Sequence, residues 1–184
     1  MKPKHIIFAG LFAALTAVGA FIRIPLPFVP LTLQVFFCLL SGILLGAKTG
    51  MISQIIYIAV GLAGVPVFTS GGGPGYVLNP TFGYLAGLIL CAFVIGKLSE
   101  GLTKLTITKL FLINMAGVLI IYAVGVPYLY FIKNLYMGSE TPLSKVLYGG
   151  FLVTIPGDII KSYLAALIGV KLIPVVRNLL DNKS

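Results

Sequence analysis

Apolar runs long enough to cross a bilayer recur along the whole of this sequence, and they constrain the fold more than any single motif. A helix needs roughly 17–25 apolar residues to span the hydrocarbon. The stretches at about 6–22, 33–46, 50–65, 82–98, 109–132 and 147–176 approach or exceed that length. Only 9% of the residues are charged, against about a quarter in a soluble domain. The opening Met-Lys-Pro-Lys before an apolar stretch imitates a signal peptide. Five similar stretches follow it and no polar domain does, so it reads as a first membrane helix. The expectation is an all-α integral membrane protein: one six-transmembrane-helix bundle over residues 1–184.

The net charge of +9 does not indicate nucleic-acid binding, because the basic residues lie in short connections and near the termini. Their distribution sets orientation instead. With the N-terminus inside, the inner face holds Lys2, Lys4, Lys48, Lys97, Lys104, Lys109, Lys171, Arg177 and Lys183. The outer face holds only Arg23, Lys133 and Lys145. Both termini are therefore expected to be cytoplasmic. The second and third runs are short and joined by Leu-Gly-Ala-Lys-Thr-Gly, which fits a helical hairpin turning at one face. Cys38 and Cys91 lie inside apolar segments and read as small packing residues. His5, the single histidine, lies at the membrane edge.

That orientation puts residues 23–32 and 66–81 on the outer side. The first is proline-stiffened and too apolar for an ordinary solvated loop; the second carries Gly71-Gly72-Gly73 and Gly75. Irregular backbone near membrane depth must be buried in protein or line a cavity, so both read as covers over a site. The glycines permit positive φ and close approach to a ligand, or merely a flexible hinge. Tyr76, Asn79, Thr81 and Tyr84 follow, giving the mix of aromatic walls and a few polar groups typical of a small-molecule pocket.

From the same side comes Pro-Gly-Asp-Ile-Ile-Lys at 156–161. A charge at a bilayer centre costs about 2.5–3.5 kcal/mol on insertion scales, and this chain has only four acids. Asp158 and Lys161, three apart, share a helix face and offset each other's charge. They suit either a structural ion pair or the polar floor of a ligand site. Thr32 and Gln34 open the second run beside the proline segment, and Tyr122 lies in the fifth. Asn114 and Gln54 read as helix-to-helix hydrogen-bonding groups. On the first run Ala9, Ala13 and Ala17 recur every four residues beside Gly10 and Ala14. Such spacing brings helix backbones close, within the bundle or against another membrane protein. There is no nucleotide-binding motif, metal cluster or catalytic triad. The chain can hold a small molecule but has no visible engine, and is expected to be no enzyme and to need no cofactor.

Val29-Pro30-Leu31-Thr32-Leu33-Gln34, Gly64-Val65-Pro66-Val67-Phe68, Asn79-Pro80-Thr81-Phe82-Gly83-Tyr84 and Pro156-Gly157-Asp158-Ile159-Ile160-Lys161 together resemble the BioY family. These are the biotin-specific, substrate-binding S-components of energy-coupling factor (ECF) transporters. The resemblance implies a prokaryotic plasma-membrane protein that binds biotin from outside. Its implied partners are an EcfT-type transmembrane coupling protein and two cytoplasmic ATPases. It also implies docking through the alanine face (Ala9, Ala13, Ala17) and toppling of the S-component to release cargo. Matching biotin to the residues, Asp158 is the acceptor for the ureido N–H groups and Asn79 can serve both edges. Lys161 either neutralises Asp158 or donates to the ureido oxygen. Tyr84 and Phe68 wall the thiophane ring, and Gln34 or the N–H groups of the glycine loop, around Gly73 and Gly75, meet the carboxylate. The competing functions are a self-sufficient vitamin facilitator with no ATPase module and a small membrane enzyme using Asp158 and Lys161 as an acid–base pair, the latter disfavoured by the lack of a second catalytic group.

Overall fold

The computed structural model describes residues 3–181; Lys2 and Lys183 of the expected inner face lie outside them. Five long apolar helices build the bundle: α1 (Pro3–Phe21), α2 (Gln34–Leu62), α3 (Phe82–Glu100), α4 (Ile107–Phe131) and, after the single turn α5 (Leu143–Leu147), α6 (Ile155–Asp181). The count differs from the six expected because the second and third runs join in α2. That helix is folded at Gly46, whose φ of 79° and ψ of 177° are non-helical. Positive φ of this kind is available to glycine without a steric cost. Gln34 donates to the Tyr57 hydroxyl at 2.7 Å, although 23 residues of straight helix would separate them by roughly 35 Å. The two arms, 34–45 and 47–62, therefore lie side by side as the expected hairpin.

The bend is held from α3. Glu100 accepts the Ala47 N–H at 2.8 Å, satisfying a donor that the broken helix leaves free. At the same end His5 bonds Thr49 (2.9 Å), and Arg177 of α6 reaches the Ile43 carbonyl (3.2 Å) and the Ser99 hydroxyl (3.0 Å). The start of α1, the bend, the end of α3 and the end of α6 thus share one end of the bundle. The segments 22–33, 63–81 and 132–154 occupy the other.

Polar side chains in the interior tie helices together. Gln54 donates to Thr16, Ser41 and Ser53 at 3.0–3.3 Å, and Asn114 of α4 donates to the Ser162 carbonyl of α6 at 3.0 Å. Cys38 and Cys91 are buried and free. Helix α4 starts at Thr106, whose hydroxyl accepts the Lys109 N–H at 3.3 Å, a conventional N-cap.

The fold is not purely helical. Arg23–Ile24 (β1) pairs antiparallel with Leu31–Thr32 (β2), matching Arg23 to Thr32. Pro25, Pro27 and Pro30 lie between the strands, where a missing N–H interrupts no ladder. A 3₁₀ turn, Pro74–Leu78, follows the glycine run. These short elements cover the end of the bundle opposite the bend. Helix α6 starts at Ile155, not at 147, because Tyr148–Leu152 forms a wide π turn.

Candidate functional site

Asp158 and Lys161 lie in the first two turns of α6, both nearly buried, with Nζ 2.5 Å from Oδ1. The second carboxylate oxygen accepts from the Tyr122 hydroxyl on α4. Tyr122 also shares a 2.8 Å hydrogen bond with Thr154. Lys161 donates in turn to the Thr32 carbonyl of β2 at 2.8 Å. Each charge is therefore paired and hydrogen-bonded, the condition under which a buried ion pair is tolerated. The two oxygens of a carboxylate offer about four acceptor directions, so Asp158 keeps capacity for further donors.

This network floors a cavity. Thr32, Gln34, Tyr84, Tyr122, Asp158 and Lys161 contribute to its walls, with Val29, Leu31, Leu85, Leu88 and Ile121 as apolar lining. Tyr76, Thr69 and Thr81 close it from the segment 66–81. Tyr84 is held by its hydroxyl on the Gly150 carbonyl (2.9 Å), and its ring meets Tyr122 edge-on at 6.2 Å. Tyr122 in turn stands edge-on to Phe151 at 4.8 Å. The aromatic walls are thus fixed by packing as well as by hydrogen bonds. The free space is only about 60 Å³, room for roughly four to six waters at 10–15 Å³ of probe space each. A ligand larger than this space would have to displace the walls, of which the covers are the short, irregular elements.

Beyond this cavity lies a second, of about 360 Å³, lined by Arg23, Pro27, Phe28, Ser70, Asn79 and Lys133 among others. The two share Pro30, Thr69 and Thr81. Asn79 belongs to the outer chamber and not to the inner one. Its Oδ1 accepts from the Thr81 N–H (2.9 Å) and hydroxyl (2.8 Å), the Asx turn that carries the chain into α3. Thr32 and Gln34 line the inner cavity but bond each other at 3.0 Å, and the Gln34 amide is committed to Tyr57.

Phe68, Gly73 and Gly75 line neither chamber. Phe68 is 1% exposed and packs behind the wall, edge-on to Tyr57 at 5.5 Å and tilted on Tyr76 at 4.5 Å. The Gly73 N–H is taken by the Gly61 carbonyl at 2.7 Å. Of the alanine face, Ala9 is fully buried. Ala13 and Ala17, with Gly10 and Ala14, line an apolar groove against Ile56, Tyr57, Val60 and Val67 of the hairpin and its exit loop. Thr154 and Tyr57 were not singled out from the sequence. Thr154 stands four residues before Asp158, one helical turn away, and that spacing was the available signal.

Comparison with known proteins bears on what such a site serves. A family model described as the BioY family matches residues 1–178. A protein of Lysinibacillus sphaericus named "Probable biotin transporter BioY" is 47% identical over 173 residues, covering 94% of this chain and 88% of the relative. The "Biotin transporter BioY" of Thermotoga maritima is 43% identical, covering 92% of this chain and 95% of the relative. Among solved structures, the chain is similar to a crystal structure of the S-component for biotin from an ECF-type ABC transporter. That match has a TM-score of 0.80 and 31% identity, covering 100% of this chain and 94% of that one.

Proposed function

The chain belongs to the BioY family, and from that premise we propose that it is a biotin-capturing S-component of an ECF-type transporter. The observation that carries the reading is the Tyr122–Asp158–Lys161 network flooring an otherwise apolar, roofed cavity. Biotin's ureido group has two N–H donors and one carbonyl acceptor, its thiophane ring is apolar, and its valerate ends in a carboxylate. Asp158 accepts from the ureido N–H groups. Lys161 fixes the charge of Asp158 and is within reach of the ureido oxygen. Tyr84 and Tyr122 flank the ring, with Thr32 and Gln34 behind it. Asn79 acts from the throat, where its hold on Thr81 shapes the passage between the chambers.

The sequence carries no nucleotide-binding motif, so in this reading partners power the transport. An EcfT-type coupling protein and two ATPases supply the drive, and the groove along Gly10, Ala13, Ala14 and Ala17 receives the coupling protein. Counting the α2 arms separately gives six membrane spans in one domain over residues 1–184. The end of the bundle carrying Lys48, Lys97, Lys104, Lys109 and Arg177 faces the cytoplasm of a prokaryote, with both termini there, and the roofed end faces outside. Toppling of the bundle in the membrane delivers the ligand inward. Biotin is cargo, and no cofactor is needed.

The test is biotin binding to the purified chain in detergent, beside Asp158→Asn and Asn79→Ala. A buried polar group that loses its partner costs about 1–3 kcal/mol, so Asp158→Asn, at a buried carboxylate, weakens binding at least fivefold, and Asn79→Ala, at a half-buried throat residue, weakens it less. Losses below about twofold in both variants reject the site. In ATP-free vesicles the chain alone moves no biotin; uptake there identifies a self-sufficient facilitator instead.

A further inference from the structure

The floor of the inner cavity has no positive charge to spare. Lys161 is neutralised by Asp158 at 2.5 Å, so an anionic group brought there meets a carboxylate in a low-dielectric setting, where repulsion is strong. In the wall Gln34 already bonds Thr32 and Tyr57, and behind it, outside the cavity, the Gly73 N–H is taken by the Gly61 carbonyl. A ligand with one neutral polar end and one acidic end is therefore oriented, with the acid directed outward.

Outward lies the second chamber, entered past Thr69 and Thr81. Its lining includes Arg23 and Lys133 and no acid. These are two of the three basic residues at the roofed end, Lys145 being the third. Neither has a carboxylate within 4 Å among the described residues. Arg23 is anchored by one guanidinium nitrogen on the Thr69 carbonyl, leaving its remaining N–H donors available. Lys133 holds its ammonium 4.6 Å from the centre of the Phe28 ring, which lines the same chamber. A cation over an aromatic face is positioned without having its charge cancelled.

We infer that the outer chamber is an anion subsite in which Arg23 and Lys133 receive the carboxylate of the ligand whose ring end occupies the inner cavity. This rests on the biotin reading of the inner cavity and extends it to the part of the ligand that Asp158 cannot hold. It replaces Gln34 and the glycine-loop N–H groups as partners of the carboxylate. The two cations also draw anionic ligand to the mouth, an attraction that salt screens over about 8–10 Å.

Binding of biotin and of its neutral carboxamide to the full chain in detergent tests this, at low and high salt. Lys133→Gln and Arg23→Gln each weaken biotin about three- to tenfold, in the range of partly exposed charge-assisted contacts. Both leave the carboxamide unchanged, and the wild-type preference for biotin over carboxamide shrinks as salt rises. Arg23→Lys, which keeps the charge, retains most of that preference. Asp158→Asn lowers both ligands alike. Equal losses of biotin and carboxamide in the Arg23 and Lys133 variants, or no loss in either, overturn the subsite while leaving the floor intact. A wild-type chain that binds neither ligand overturns the reading of the inner cavity and the subsite with it.

Discussion

The ammonium of Lys161 lies 2.8 Å from the Thr32 carbonyl, so the residue that neutralises Asp158 also ties α6 to the cover strand β2. Floor and roof of the cavity are one hydrogen-bonded unit. A ligand that shifts the roof must act on the Lys161–Thr32 contact, and a ligand that bonds Asp158 changes the charge that holds Lys161 in place.

Breaking the ion pair and replacing it have different consequences. Asp158→Asn strands a buried ammonium, and removing one partner of a buried pair costs about 3–5 kcal/mol. The double change Asp158→Leu with Lys161→Met substitutes an apolar contact of similar volume, which is often neutral or stabilising. Thermal unfolding in detergent should therefore fall for the single variant and recover for the double one, while biotin binding stays lost in both. Recovery of binding in the double variant means that the pair is only a helix lock.

Tyr122 separates structural support from ring contact. Tyr122→Phe keeps the edge-on packing on Phe151 and Tyr84 but removes the donor to the Asp158 carboxylate. A hydrogen bond to a charged group contributes about 1.5–3 kcal/mol. The ligand-free variant is expected to lose about that much unfolding free energy, read by denaturant titration, and Thr154→Ala less, since the Thr154 side chain reaches the Asp158 carboxylate only through Tyr122.

The parts legible in the sequence were those with a strong local cause. Apolar length marked the helices, the Gly46–Gly50 stretch marked the hairpin, and the cost of an intramembrane charge marked Asp158 and Lys161. Sequence spacing could not separate residues that line a cavity from residues that build its wall. Phe68 and Gly73 lie in the right segment, yet one is packed between Tyr57 and Tyr76 and the other is bonded to Gly61. Asn79 was placed with the floor by its chemistry, whereas its Asx turn sets it in the outer chamber. Arg23 and Lys133 are 110 residues apart in the chain and meet only through the fold.

The hairpin predicts a sensitive site on α3. A Cβ built on Gly96 would lie 2.5 Å from the Ala47 nitrogen and 2.6 Å from its Cα, so backbone and not a movable side chain blocks it. Overpacking of this kind costs about 1–3 kcal/mol, more than the usual gain of exchanging a helical glycine for alanine. Gly96→Ala should lower the unfolding temperature and loosen the Glu100 cap on Ala47, seen as faster amide exchange at residues 46–50. A stabilised Gly96→Ala variant would show that α3 does not clamp the bend.

The groove on α1 supplies the last prediction. Ala13 is 6% exposed, so a larger side chain there strains the bundle itself and confounds a docking test. Gly10 lines the same groove, and nothing lies within 4 Å of a Cβ built on it. Gly10→Leu fills the groove without crowding the bundle and should strengthen the helix locally, glycine being about 0.8–1.0 kcal/mol poorer than alanine in a helix interior. If the groove receives the coupling protein, this variant binds biotin with wild-type affinity and unfolds no earlier. Biotin uptake by cells or vesicles that also contain the coupling protein and ATPases then falls sharply. Small-residue faces let helix backbones approach closely, so a smaller loss is expected from Gly10→Ala than from Gly10→Leu. Undiminished uptake in the leucine variant assigns the groove to lipid contact alone.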